Sequence, residues 1–183
     1  EAETRLGLSL ADLVSTLEGT KLTQQQRLVA AATTAIARKC DDLFDTTPLE
    51  QMDPRQALVE AIEGKEAAEV LDPHLAQFAK IAGENMNEAA HGALRDIAQV
   101  QIESLKQRNP NISIHEVRDV TEKKGSLYML LFALNISPNL TPARKKCWEA
   151  LGCLFQLIDD FEDEQQDRME GIITLVTMSP EKT

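Results

Sequence analysis

Aromatic residues make up only 4% of this 183-residue chain, and glycine and proline contribute eight and seven residues. That scarcity argues against a sheet-rich fold, in which aromatic and β-branched strands alternate with glycine- and proline-marked turns. Three cysteines, Cys40, Cys147 and Cys153, are odd in number and scattered through helical sequence, so neither a disulfide framework nor a zinc site is suggested. A reducing cytosol is the expected compartment. No apolar run approaches the ~20 residues that span a bilayer, and no basic-then-apolar leader opens the chain. Basic stripes are missing too: the net charge of −11 speaks against nucleic acid as a partner.

What remains is rich in alanine, leucine and charge, the composition of an all-α protein in one domain. Helix starts are well marked. Thr23 with Gln26 and Ser113 with Glu116 read as capping boxes, while Asp53-Pro54, Asp72-Pro73 and Thr141-Pro142 place a capping side chain before a proline at the first helical position. These signals predict helices over 8–18, 23–47, 54–66, 72–108 with a break at Gly83, 113–136 and 141–169. Short connections favour a bundle of antiparallel neighbours.

Two acidic clusters stand out, "CDDLFD" at Asp41, Asp42 and Asp45, and "IDDFEDEQQD" at Asp159, Asp160, Asp163 and Asp167. Like charges a turn apart oppose helix formation. Each cluster ends a row that begins in small or apolar residues, including Thr34 and Ala37 on one helix and Gly152 and Phe155 on the other. A solvated acidic face explains either cluster alone; both together, backed by apolar stripes, point to cation binding at the mouth of a cavity. Mg²⁺ fits such carboxylates, since it uses one or two of them, keeps waters and accepts phosphate oxygens.

"DDLFD", "KKGSLYMLLF" and "LGCLFQLIDDFED", in that order, resemble the class I isoprenoid synthases, the superfamily of terpene cyclases and trans-prenyltransferases. The middle segment is similar to the family's Lys-Thr-Gly-x-Leu stretch, and Phe155-Gln156 falls on the Phe-Gln before its second aspartate motif. The resemblance implies a helical bundle around a central apolar cavity, with Mg²⁺ held by Asp41, Asp42 and Asp45 on one side and Asp159, Asp160 and Asp163 on the other, and Asp167 as a further ligand. Asp41, Asp45, Asp159 and Asp163 become the expected catalytic aspartates. Lys123 falls on the diphosphate-binding lysine, with Lys124, Arg118 and Arg168 as supporting cations. Ile36, Ala37, Phe155, Gln156 and Tyr128 are the expected cavity residues.

Under this resemblance the substrate is a prenyl diphosphate, of fifteen carbons or more because Ile36 and Ala37 lack the aromatic bulk that would floor a short cavity. The family's arginine pair after the first motif is missing, only Arg55 standing in "TTPLEQMDPR", and Gly171-Ile172 replaces its Gly-Lys. That departure favours a terpene cyclase over a prenyltransferase that also binds isopentenyl diphosphate. A non-catalytic helical subunit is the reading from another class. Homodimers are common in this superfamily, so a second copy is an expected partner.

Overall fold

The computed structural model describes residues 2–46 and 73–178. Among them the chain is all-α, with seven α-helices and no strand: α1 (Ala2–Leu17), α2 (Gln24–Thr46), α3 (Pro73–Asn85), α4 (Glu88–Ser104), α5 (Ile114–Ile136), α6 (Pro142–Glu162) and α7 (Glu164–Glu170). A 3₁₀ turn, Leu105–Arg108, follows α4. No described helix is long and apolar enough to cross a membrane. The helix expected over 54–66 lies outside the described residues.

Both capping boxes form. Gln26 N–H donates to Thr23 Oγ1 and Thr23 N–H to Gln26 Oε1, and Ser113 and Glu116 exchange the same pair of bonds. The helix expected over 72–108 does break, at Asn87 rather than Gly83. Asn87 is the better interruption because its Oδ1 accepts the Ala90 N–H and caps α4, while its Nδ2 donates to the Leu134 carbonyl near the end of α5. The last expected helix is also divided, with Asp163 at φ −91°, ψ 4° between α6 and α7. That interruption falls where carboxylates crowd at one-turn spacing.

Helix α5 is the central element, burying Met129 to Ala133 without interruption, so both its faces are covered. One core joins it through Leu131 to α2, α3 and α4, using Val29, Ile36, Leu75, Leu94 and Ile97 with six alanines, Ala32, Ala79, Ala82, Ala90, Ala93 and Ala98. The other joins Met129, Phe132 and Ile136 to Val14 of α1, Ala30 of α2 and Trp148 of α6.

The seam between α5 and α6 sets the position of the site. Gly125 and Gly152 face each other so closely that a Cβ on either would collide with the other's carbonyl group. This backbone-to-backbone approach is available only to glycine. One to two turns beyond Gly152, it delivers Gln156 and Asp160 against Thr121 and Lys124 of α5.

Candidate functional site

A cleft of about 330 Å³ opens at the C-terminal end of α6. Asp159 and Asp160 from α6, Asp163 at the junction, and Asp167 and Glu170 from α7 line it on one side. Facing them are Arg38 of α2, Arg108 of the 3₁₀ turn and Lys124 of α5. Five acidic and three basic side chains thus share one space, an arrangement suited to an anion that arrives with its own cations.

Asp160 anchors the acidic wall. It is buried, accepts Gln156 Nε2 at 2.9 Å and Thr121 Oγ1 at 3.5 Å, and orients through them. Burial pushes its carboxyl above the usual range, against the opposing effects of Gln156, Lys124 and Thr121, and Asp163 reinforces the rise. Asp167 is pushed up to about 6, first by burial and then by Asp160, Asp163 and Glu170. Acidic side chains outnumber basic ones in this lining, and neighbouring carboxylates add to the rise at Asp160 and Asp167.

The far wall is held by Gln107, whose carbonyl accepts Ile173 N–H at 2.8 Å and whose Nε2 donates to the Ile173 carbonyl at 3.0 Å. Among the described residues no group of three metal-binding side chains is assembled.

The four aspartates of the second motif line or border one space, and Gln156 joins them by bonding Asp159 at 3.2 Å as well as Asp160. Asp41, Asp42 and Asp45 lie on the last turns of α2, and their side chains are outside the described residues. The helical register puts Asp41 and Asp42 one turn beyond Arg38, which reaches the cleft.

The two lysines separate. Lys124 faces the cleft, whereas Lys123 lies on the other side of α5, bonded to Asp119 at 2.8 Å and Glu103 at 3.3 Å, which raise its pKa. Arg118 is exposed and does not line the cleft. Arg168 holds Glu164 and donates to the Thr177 carbonyl at 2.9 Å, tying down the segment after α7. Arg38, Arg108 and Thr121 were not singled out from sequence, although Arg38 belongs to the same helical row as the first aspartates.

The expected central cavity is not found among the described residues. Ile36, Ala37 and Tyr128 do meet, but around an apolar space of about 10 Å³, room for about one water. Ala32 of α2 and Ala79 and Ala82 of α3 let these two helices pack closely. Phe155 packs elsewhere, against the core of α1, α5 and α6, and the Tyr128 hydroxyl accepts Gln101 Nε2 at 3.1 Å.

Comparison with protein-family models, with curated proteins and with solved structures gives no match to this chain.

Proposed function

We propose that this chain is a Mg²⁺-dependent class I terpene synthase, which ionises an allylic prenyl diphosphate, rearranges or cyclises the carbocation and releases diphosphate. The observation that carries the reading is the cleft in which Asp159, Asp160, Asp163 and Asp167 oppose Arg38, Arg108 and Lys124. Bound Mg²⁺ would supply Lewis-acid neutralisation of the leaving diphosphate. Lys124, Arg38 and Arg108 would bind the diphosphate oxygens and stabilise charge as the C–O bond lengthens. Thr121 and Gln156 hold Asp160 in place beneath them. Carboxylates of Asp159 and Asp163, and those of Asp41, Asp42 and Asp45 from α2, would take the ions.

The sequence similarity supports the allylic substrate, and the isoprenoid-synthase-like arrangement around a hydrocarbon cavity belongs to the same proposal. Incubation with geranyl, farnesyl and geranylgeranyl diphosphates plus Mg²⁺, with and without isopentenyl diphosphate, tests it by mass spectrometry of the extracts. Hydrocarbon or alcohol from a single diphosphate is the expected result. A longer diphosphate formed only with isopentenyl diphosphate would instead make the chain a prenyltransferase.

One observation favours a second reading, a non-catalytic helical subunit that holds a Mg²⁺–diphosphate group. The space of about 10 Å³ that described residues line around Ile36 and Tyr128 is far below the roughly 300 Å³ of a small-molecule pocket. Calorimetric binding of Mg²⁺–diphosphate without product from any prenyl diphosphate is the outcome that selects it.

A further inference from the structure

The chain leaves α7 through Gly171, whose φ of 71° suits glycine, and the segment 172–178 then borders the cleft with Ile172 and Thr174. Gln107 fastens this segment to the 3₁₀ turn. Its carbonyl accepts Ile173 N–H at 2.8 Å and its Nε2 donates to the Ile173 carbonyl at 3.0 Å, so one residue pairs both backbone groups of another. Gln107 is only 8% exposed, and an amide buried to that degree is costly unless its hydrogen bonds are made.

The gripped segment is stiffened from within. Thr174 N–H donates to Thr177 Oγ1 at 2.7 Å and Thr177 N–H to Thr174 Oγ1 at 3.2 Å, while Thr177 Oγ1 reaches the Ile172 carbonyl at 3.1 Å. Arg168 holds the Thr177 carbonyl at 2.9 Å. This braced loop continues directly from Asp167 and Glu170 of the acidic wall, and the residue after Gln107 is Arg108, which lines the facing side. The paired contact between Gln107 and Ile173 therefore ties the end of α7 to the backbone that carries Arg108, and so sets the spacing that a Mg²⁺–diphosphate would have to bridge.

We propose that Gln107 is a positioning residue for the cleft: by clamping Ile173 it holds the acidic and basic walls at the separation that a magnesium-bound diphosphate requires. The inference rests on the cleft being the diphosphate site, and Gln107 acts through the walls.

Isothermal titration of the full chain with inorganic diphosphate and Mg²⁺ tests it, together with hydrogen exchange of the Ile173 amide followed by NMR. Gln107→Met keeps the length of the side chain and removes the donor; it should weaken diphosphate binding about fivefold, the worth of one ordinary hydrogen bond. Thr177 does not line the cleft, and Thr177→Val removes the hydroxyl that braces the segment, so it should weaken binding about twofold in the same direction. If Gln107→Met loses its helical circular dichroism, Thr177→Val carries the binding test alone. A merely structural contact would not respond to ligand, whereas coupling is reciprocal, so Mg²⁺–diphosphate should slow exchange at Ile173 several-fold in the wild type. Wild-type binding that the variants leave unchanged, or exchange at Ile173 that ignores the ligand, overturns the positioning role while the cleft keeps its diphosphate. A wild-type chain that binds no diphosphate overturns the inference and the cleft reading together.

Discussion

The cleft at the end of α6 and a groove on the other side of α5, lined by Asp96, Glu103, Asp119, Glu122 and Glu149, are both rich in carboxylates, and each receives one of two consecutive lysines. In the groove, Lys123 is neutralised by Asp119 and Glu103 at bonding distance, and its charge is satisfied within the fold. In the cleft, three basic side chains face five acidic ones, one of them buried, and Asp160 and Asp167 hold their protons above the usual range. Composition is similar on the two sides; burial is not. A carboxylate at the surface beside its lysine is structure, whereas a buried carboxylate among several others is where a ligand is sought.

The largest expected effect separates the two sides by activity. Asp160→Ala should lower turnover of the accepted prenyl diphosphate by about 10³-fold or more, by removing the anchored carboxylate from the acidic wall that would hold Mg²⁺, and Lys124→Ala by about 10²-fold, by removing a cation that would stabilise the leaving diphosphate. Steady-state rates with Mg²⁺, measured beside a circular dichroism spectrum that remains helical, check this. Equal activity in Asp160→Ala and wild type would remove the cleft from the chemistry.

Gly152→Leu asks whether cleft and groove depend on one scaffold. The added side chain meets the Gly125 carbonyl, so the seam has to open, at a cost of about 3 kcal/mol in a urea melt. The opening should weaken the Thr121–Asp160 contact on the cleft side and the 3.2 Å bond from Ser126 Oγ to the Glu149 carbonyl on the groove side. Loss at one side alone would show that the two are independently built.

Acidity gives a smaller, signed difference. In the folded chain the Asp167 carboxyl keeps its proton up to about 6, while unfolding returns it to the ordinary 3.8. The folded state therefore binds more protons between those values, and stability falls as pH rises through the window. Asp167→Asn should stabilise the chain near neutrality by about 1 kcal/mol after allowance for solvent screening, and the gain should vanish below about pH 4. Urea melts of both proteins at the two pH values measure it.

Most of the helical order was legible in the sequence because capping side chains and prolines act locally: the Thr23–Gln26 and Ser113–Glu116 boxes need only four residues each. The break at Asn87 was misplaced to Gly83, since what fixes it is a bond to Leu134, far along the chain. Asp159 and Asp160 were legible as a cluster. Arg108 was not, because its place in the cleft depends on how the 3₁₀ turn docks beside α5 and α7. Small residues were ambiguous in the same way. "AATTAIA" is equally compatible with an open cavity and with close packing, and the neighbours that decide are remote in sequence: Ala32 lies in the core that α2 shares with α3.

The smallest expected effect falls on the lysine that the sequence similarity favours. Lys123 is 47% accessible and holds its two carboxylates at the surface, where such pairs contribute about 0.5 kcal/mol or less. Lys123→Met should therefore shift the urea midpoint only slightly and leave turnover within about twofold of wild type, against the ~10²-fold loss for Lys124→Ala. Glu103, held below the usual carboxylate range by Gln99 and Lys123 against the opposing effect of burial, would then titrate at a higher pH, visible by NMR. If Lys123→Met instead abolishes turnover as completely as Lys124→Ala, α5 must turn to present both lysines to the diphosphate, and the division between a structural groove and a functional cleft would not hold.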